Sequence, residues 1–448
     1  MDLTNPPPTD LWQQTATQIL PLLLTSQITV ETYAKSLLSR INTRNPQIKA
    51  WIHLDETQIL ARARELDALP PSQRGPLHGL AIGIKDIILT ADMPTQYNSP
   101  IHYTTSASGI DAPVVRALRA SGALILGKTS TTEFAATTKG NVNQNFTRNA
   151  HAADRTPGGS SSGSAAAVAD FQVPVAFGTQ TGGSVVRPAS FNGIWGVKWT
   201  WGAVSTMGVG MYSVTNDTLG VLGRCAEDLE LVSRVLRVQA DDVADSKEVN
   251  IEGARIAFCR THVWGEKAGE GLRRVWGRAR ALLEAGRARV EELELPEEFA
   301  NMSKWHAAVQ SGEARNSFLG VYLADKERLD ASLCAHVENA TNVSRKALLE
   351  AYDGCARPRP VWDRIASEYD AVLTPGVPDE APLGLDWTGD AAFNTMWSIL
   401  HAPTVNVPGL KGKNGMPVGL TVVGARYTDM RTLNAARHIG KIFESQTS

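Results

Sequence analysis

Cysteine is scarce in this chain, and the few cysteines argue against two classes of protein. The four are Cys225, Cys259, Cys334 and Cys355, and no two of them form a CxxC pair. The sequence therefore predicts neither a disulfide framework nor a zinc knuckle. Nine histidines are scattered without an HExxH or HxxxH pair. We therefore expect no metal site and no cofactor.

The chain also lacks an excess of charge of either sign and a long apolar run. Its formal net charge is −2 at pH 7. The chain therefore lacks the excess of basic residues that is typical of proteins that bind nucleic acid or an anionic membrane. The apolar run from Leu20 to Leu24 is far too short to cross a bilayer, and the N-terminus has no basic, apolar leader. We expect a cytoplasmic protein without nucleic-acid or membrane partners.

Hydrophobic residues make up 43% of the chain and charged residues 20%, which is ordinary for a globular protein with a core. Several short apolar runs end in glycine or polar residues, a pattern typical of a buried strand that passes into a loop. Strands of this kind are predicted at 80–84, 123–126, 171–177, 254–258, 370–374 and 419–424.

Helical patterns separate these strands. Region 11–68 is predicted to be helical, and Thr29 can cap a helix whose apolar residues recur at helical spacing. Further helices are expected at 114–121 and 164–169, and most of 226–355 has a helical, charged pattern. The alternation indicates an α/β fold, a mixed β-sheet with helices on both faces. Without an internal repeat or a linker, a single domain is predicted.

A loop rich in glycine and serine, Pro157-Gly-Gly-Ser-Ser-Ser-Gly-Ser164, is the first candidate site. Its glycines allow a tight turn that exposes hydroxyl groups, although a flexible loop without chemistry explains the composition equally well. Residues 159–163 also fit G-x-S-x-G, but that nucleophile elbow has to follow a strand. The preceding segment 151–156 is polar and not strand-like, which argues against an elbow.

A second loop, Gly178-Thr-Gln-Thr-Gly-Gly-Ser184, follows a predicted strand. A phosphate-binding Walker A loop requires lysine directly before its Ser or Thr, and Gly183 occupies that position. A serine after two glycines at a strand end instead suits a nucleophile whose own loop supplies N–H groups to an oxyanion.

Lys85 lies at the end of the apolar run 80–84. A lysine in a poorly solvated pocket loses its charge readily, because desolvation disfavours the ammonium, and it could then act as a base. Taken alone, an ion pair with Asp86 is the simpler interpretation. Lys128, after another apolar strand, is the rival candidate, and nothing in its neighbourhood separates it from a structural role.

Together these three sites resemble the amidase signature family. The family has a lysine in a Gly-x-Lys-Asp turn, then a Gly-Gly-Ser-Ser loop, then a Gly-Gly-Ser nucleophile. Here the turn is Gly83-Ile-Lys85-Asp86, and Ser184 follows Ser160 by 24 residues. Further similar segments are 193–198, 217–220, 369–375, 402–408 and 416–420.

The resemblance covers about residues 25–440 and is weakest between 230 and 360. It implies the amidase signature fold and an amidase signature domain over 25–440. An N-terminal lead and helix (1–24) precede this domain, and a C-terminal tail (441–448) follows it. No cofactor is implied.

The resemblance further implies a catalytic apparatus without histidine. Neutral Lys85 would take a proton from Ser160, which forms a cis peptide in this family, and Ser160 would relay the proton from Ser184. Ser184 would attack the amide carbon, and Ser160 would return a proton to the leaving amine, because an amide anion leaves poorly. Water would then hydrolyse the acyl-enzyme. The oxyanion would be held by the N–H groups of Thr181, Gly182 and Gly183.

Three residues near the nucleophile are candidates for substrate binding. Arg187 has the spacing from Ser184 of the malonamidase branch, in which an arginine binds the substrate carboxylate, and a guanidinium can bind a carboxylate bidentately. A structural arginine that ties the nucleophile loop to the sheet explains the same position. Trp199 replaces a frequent proline of the family and could reshape the acyl pocket. Gln180 replaces a frequent aspartate, and we expect it to form hydrogen bonds.

Several functions therefore stay open. Trp195, Trp199 and Trp201 would favour an aromatic or larger acyl group if they lined the pocket. The leading hypothesis is a stand-alone amidohydrolase that acts on a small-molecule amide. An amidotransferase subunit that passes ammonia to a partner shares the signature. An inactive member would be expected to lose a triad residue, and all three are present. The sequence leaves open whether the chain forms a homodimer.

Overall fold

The core is a β-sheet, seen in a computed structural model that describes residues 9–138, 146–238 and 249–445. Its strands are β1 (Trp51–His53), β2 (Ala81–Lys85), β3 (Leu124–Thr129), β4 (Val175–Gln180), β5 (Trp195–Lys198), β6 (Thr218–Gly223), β7 (Arg255–Phe258), β8 (Arg289–Glu292), β9 (Ala371–Pro375), β10 (Thr404–Val407) and β11 (Leu420–Val423). The strands pair in the order β1-β3-β2-β4-β6-β5-β10-β11-β9-β7-β8.

The sheet is mixed, as predicted. β2 is parallel to β3 and β4, and β7 is parallel to β8 and β9. The other described pairings are antiparallel. Every residue of β2, β3 and β4 is buried, as expected for parallel strands covered by helices.

Helices flank this sheet, which confirms the predicted α/β class. They are α1 (Ala16–Leu24), α2 (Val30–Ile48), α3 (Glu56–Asp67), α4 (Pro113–Ala120), α5 (Ser162–Ala169), α6 (Val186–Phe191), α7 (Ala226–Val235), α8 (Trp264–Lys267), α9 (Glu270–Ala285), α10 (Met302–Ser317), α11 (Leu319–Asp325), α12 (Ala331–Val337), α13 (Arg345–Ala356), α14 (Pro358–Ser367), α15 (Ala392–Ile399) and α16 (Asp429–Glu444). None of the described helices is long and apolar enough to cross a membrane.

The helix start predicted at Thr29 is confirmed. The Thr29 hydroxyl accepts a hydrogen bond from the N–H of Thr32 at 3.0 Å, so it satisfies one of the free N–H groups in the first turn of α2. The apolar residues of that helix face the core, where Tyr33 and Leu37 are fully buried.

Some predicted boundaries differ from the structure. The strand expected over 171–177 begins only at Val175, because Phe171 has a positive φ of 61° and Pro174 has no N–H for a ladder. The predicted tail from residue 441 cuts through α16, whose Phe443 is fully buried. The short strands β1, β5, β6, β8 and β10 were not identified from the sequence, since three to six residues carry little periodicity.

A buried ion pair joins the end of β2 to β3. Lys128 Nζ lies 3.9 Å from Asp86 Oδ1, and both side chains are fully buried. Lys128 also donates to Ile88 O at 2.5 Å and to Thr95 Oγ1 at 2.6 Å. Burial raises the pKa of Asp86 to about 6 and lowers the pKa of Lys128 to about 8, while each charge opposes the shift of its partner. Lys128 therefore has a structural partner, and Asp86 is not paired with Lys85.

Replacing Lys128 by methionine should destabilise the protein by about 3–5 kcal/mol, because the buried Asp86 carboxylate loses its counter-charge. Urea unfolding followed by circular dichroism measures the change. Lys346→Met is the matched control, since Lys346 is largely exposed and only 3.8 Å from Glu350 on the same helix. Equal midpoints for the two variants would contradict a structural role for the buried pair.

Candidate active site

Three segments of the chain meet at one edge of the sheet. β2 and β4 are parallel neighbours, so their carboxyl ends lie together. Lys85 is the last residue of β2, and the loop 181–184 directly follows β4. Helix α5 packs against both strands, and Ser160 lies just before its first turn. The fold thereby brings Lys85, Ser160 and Ser184 to one place.

Lys85 is fully buried among hydroxyl groups. Its Nζ lies 2.8 Å from Ser160 Oγ, 3.0 Å from Ser161 Oγ and 2.8 Å from Thr179 Oγ1. Burial lowers the pKa of Lys85 well below its usual value, and the negative charge of Asp217 opposes that shift only in part. An amine in this position favours the neutral form, which can accept a proton.

The loop that carries Ser160 is held tightly against β4. The Gly159–Ser160 peptide is cis. The hydroxyl of Ser161 accepts from Thr179 N–H and donates to Thr179 O, both at 3.2 Å. That hydroxyl lies only 2.7 Å from where a Cβ would stand at Gly178, so β4 needs glycine there. These contacts bring the Ser160 hydroxyl to Lys85.

Ser160 and Ser184 both line a cavity of about 280 Å³. Ser184 is 9% exposed and Ser160 is 3% exposed, so both hydroxyls are sheltered from bulk water but reachable from the cavity. The N–H groups of Thr181, Gly182 and Gly183 donate to none of the described residues. Three free donors beside a serine can stabilise a negatively charged oxygen.

Gln180 forms hydrogen bonds that hold the end of the 181–184 loop. Its Oε1 accepts from the N–H groups of Val185 and Val186 at 2.9 and 3.0 Å, at the start of α6. Its Nε2 donates to Ser398 Oγ at 3.1 Å. The hydrogen-bonding role expected for Gln180 is therefore present. Gln180 is not among the residues of the cavity wall, so a substrate-binding role is not supported.

Arg187 lies in the cavity wall, and part of its guanidinium has no partner. Its Nη2 donates to Gly159 O at 2.6 Å and lies 3.4 Å from Thr388 Oγ1, while its buried Nε has no hydrogen-bond partner among the described residues. Burial lowers its pKa to about 10, and Asp390 opposes this shift. The Nη2 group of Arg187 thus holds the loop at Gly159, whereas the Nε–H group can donate to another acceptor.

Trp199 is a core residue and corrects the expectation that it shapes the acyl pocket. Its side chain is fully buried, and its indole N–H donates to Ser233 Oγ at 2.9 Å. The centroid of its ring lies 6.1 Å from that of the Phe177 ring in β4, and Trp199 is not in the cavity wall. Trp195 is also in the core, 2% exposed.

Trp201 likewise does not reach the cavity, because its ring stacks on His401 at 4.5 Å. The tryptophan in the wall is Trp387, which is 49% exposed and which no sequence motif pointed to. Trp387 lies in an irregular segment between β9 and α15 that carries no periodic signal.

Helix α10 supplies two further wall residues that sequence reasoning missed, His306 and Gln310. A lone histidine on a helix with no metal-ligand partner at i+3 or i+4 carries no signal of function in sequence. In the described residues no group of three or more His, Cys, Asp or Glu side chains is arranged to hold a metal ion.

Comparisons with known proteins show which family this chain is similar to. A model of the Amidase family matches residues 33–433. A glutamyl-tRNA(Gln) amidotransferase subunit from Symbiobacterium thermophilum is 31% identical, and the match covers 94% of this chain and 95% of that subunit. Among solved structures, one described as an amidase is 28% identical with a TM-score of 0.85, covering 97% of this chain and all of its own (100%).

The corresponding glutamyl-tRNA(Gln) amidotransferase subunit from Thermotoga maritima has a TM-score of 0.80 at 26% identity, covering 97% of this chain and 96% of its own. These matches extend over nearly the whole chain, including the weakly similar region between 230 and 360. The chain belongs to the amidase signature family.

Proposed function

We propose that this protein is an amidohydrolase that cleaves a small carboxamide to a carboxylate and ammonia or an amine through an acyl-enzyme on Ser184. The observation that carries the proposal is the fully buried Lys85, which is hydrogen-bonded to Ser160 at 2.8 Å beside the cavity that Ser184 lines. Family membership supports chemistry on C–N bonds.

In the proposed mechanism the proton moves through two hydroxyls. Neutral Lys85 takes a proton from Ser160, and Ser160 takes the proton of Ser184 as the Ser184 oxygen attacks the amide carbon. The carbonyl oxygen becomes negatively charged, and the free N–H groups of the 181–183 loop stabilise it. A donor of this kind lowers the barrier by about 2.7–4 kcal/mol in a well-studied protease.

The leaving group then needs a proton. Ser160 gives its proton to the departing nitrogen and takes a proton back from Lys85, so the C–N bond breaks and ammonia or an amine leaves rather than an amide anion. Water enters, gives a proton through Ser160 to Lys85 and attacks the acyl carbon. The bond between the acyl carbon and Ser184 then breaks, the relay returns the proton to the Ser184 oxygen, and the released acid ionises to the carboxylate. Lys85 ends each cycle neutral, as it began.

Ser184→Ala should abolish ammonia release while the protein stays folded, because only the attacking atom is removed. Ser160→Ala should lose most activity but keep a trace, since it removes a relay. Ser162→Ala is the matched control: Ser162, the first residue of α5, is two residues from Ser160 but is not in the cavity wall. Rates close to the parent in both Ser160→Ala and Ser184→Ala would rule out the mechanism.

The pH dependence of kcat/KM should follow Lys85. Below its lowered pKa Lys85 is protonated and cannot accept a proton, so kcat/KM should rise as pH increases through that pKa. Asp217 raises the pKa of Lys85, so Asp217→Asn should move the rising limb to lower pH. A flat profile of the parent from acidic to mildly alkaline pH, about pH 5 to 9, would contradict Lys85 as the base.

We further propose that Arg187 binds a carboxylate on the substrate. Its guanidinium is buried in the cavity wall with an unpaired Nε, and among the described residues no carboxylate forms a salt bridge with it. An unpaired buried cation is costly, and a substrate carboxylate would relieve that cost. Binding there would also place a short acid-amide within reach of Ser184, three residues earlier in the chain.

Malonamate and malonamide test this role, because they have nearly the same shape and differ in the charged end. Arg187→Ala should lower kcat/KM for malonamate by at least about tenfold more than for malonamide, as expected when a charge-assisted hydrogen bond is lost. Arg187→Lys keeps the charge without the planar fork and should recover part of the selectivity. Equal losses on both substrates would leave Arg187 as a scaffold residue only.

A second candidate function is the ammonia-producing subunit of an amidotransferase. Relatives named as glutamyl-tRNA(Gln) amidotransferase subunits are 28–31% identical to this chain, and each match covers nearly the whole length of this chain and of the relative. Glutamine is itself a carboxamide with a carboxylate, so Ser184 and Arg187 would have the same roles. Ammonia release by the isolated chain from malonamate and butyramide, with little from glutamine, favours the stand-alone enzyme. Turnover restricted to glutamine favours the amidotransferase role.

A further inference from the structure

The carbonyl groups of the nucleophile loop are held from outside the loop. His306 Nε2 lies 3.1 Å from Thr181 O, and Ser398 Oγ donates to Gly182 O at 2.7 Å. The next carbonyl, Gly183 O, accepts from a backbone N–H of α6 at 2.9 Å. Three consecutive carbonyls of the turn are therefore each fixed by a donor.

Fixing a carbonyl also fixes a donor. The C=O and N–H groups of a trans peptide unit point in opposite directions within one plane. A hydrogen bond to Thr181 O therefore sets the direction of the Gly182 N–H, and a bond to Gly182 O sets that of the Gly183 N–H. These two N–H groups donate to none of the described residues and lie beside Ser184.

Steric contacts do not hold the turn at Gly182, whereas a Cβ at Gly183 would lie 3.1 Å from Ala391 Cβ and from Asn394 Nδ2. A Cβ built at Gly182 would come no closer than 3.6 Å to another residue, and the nearest atoms would be Cε1 of His306 and Cγ2 of Thr395. Glycine without close neighbours has the widest choice of backbone angles, so its peptide planes rotate unless hydrogen bonds restrain them. The restraints come from two helices distant in sequence, α10 and α15.

His306 suits this task because it is a neutral donor in a dry site. Thr181 O can only accept, so the bond requires hydrogen on Nε2. His306 is 2% exposed, and burial lowers its pKa below the usual value, although the bond to Thr181 and the charge of Glu313 oppose the shift. The neutral ring brings no positive charge to the cavity wall that would compete with Arg187.

We propose that His306 and Ser398 are positioning residues that orient the Gly182 and Gly183 N–H groups as an oxyanion hole, an inference that rests on the proposed amidohydrolase function. They act through the peptide units of the loop and not on the substrate itself. Their effect falls on the tetrahedral intermediate, because only there does the carbonyl oxygen carry a full charge. Loss of either residue lowers kcat and leaves KM nearly unchanged.

The test compares His306→Leu with His306→Gln and His401→Leu. Glutamine can place an amide N–H near the position of Nε2 and should restore the bond to Thr181 O. His401 is the matched control: it is another buried histidine, its Nε2 lies 2.8 Å from the backbone oxygen of Thr215, and it is not in the cavity wall. Ser398→Ala tests the second bond, and thermal melting confirms that each variant is folded.

Two measurements are made on each variant. The first is kcat and KM for butyramide. The second is inhibition by propylboronic acid, which forms a tetrahedral adduct on a serine, and by butyrate, which stays planar; inhibition by the boronic acid also reports on variants with little turnover. In His306→Leu and Ser398→Ala, kcat should fall by about 10- to 100-fold, somewhat less than for deletion of an oxyanion donor. Inhibition by the boronic acid should weaken in parallel with kcat, and inhibition by butyrate should stay unchanged.

His306→Gln should recover most of both losses, and His401→Leu should show neither. The proposal is overturned if His306→Leu keeps the kcat and boronic acid affinity of the parent, or if butyrate and the boronic acid weaken equally. Undiminished butyramide turnover in Ser184→Ala would instead reject the amidohydrolase mechanism itself. The two failures are therefore distinguishable.

Discussion

The burial of one amine organises this site. Lys85 ends a fully buried strand and is surrounded by hydroxyls from the Ser160 loop and from β4. An ammonium in such a place loses far more hydration than neutral hydroxyls return, so the neutral form is favoured. The neighbouring lysine shows the contrast: Lys128 is buried equally, but it lies next to Asp86 and stays in a structural pair.

That amine would have no function without the topology around it. β2 and β4 are adjacent and parallel, so the residues that follow both strands emerge at the same edge. Helix α5 begins at this edge and carries the Ser160 loop over β4, where Ser161 is bonded to both backbone groups of Thr179. The short distances at Lys85 therefore follow from the order of the strands and from the hydrogen bonds that hold the start of α5 against β4. Neither feature involves a substrate.

The cavity has a different origin from the residues beneath it. One part of its wall comes from the loops that contain Ser160 and Ser184. Another part comes from α10 and from the segment before α15. The region of weakest resemblance to the family, 230–360, includes α10 with His306 and Gln310, whereas Trp387 lies between the family-like segments 369–375 and 402–408. The cavity wall can therefore change without a change at the strand ends, because the two belong to different elements.

The α/β class, the strand that ends in Lys85 and the glycine loop that holds Ser184 could be predicted from the sequence, and the resemblance to the family singled out Lys85, Ser160 and Ser184 as a candidate triad. A buried apolar run and two glycine pairs marked these segments, and the spacing between Ser160 and Ser184 matched the pattern of the family. The polar and aromatic residues that face the cavity could be identified only from the folded chain. Trp199 and Gln180 lie next to the motifs in sequence, but Trp199 packs in the core and Gln180 binds the backbone at the start of α6. His306, in contrast, lies on a helix more than a hundred residues further along the chain. The direction of a side chain at a strand end or on a helix depends on long-range packing, which no local pattern encodes.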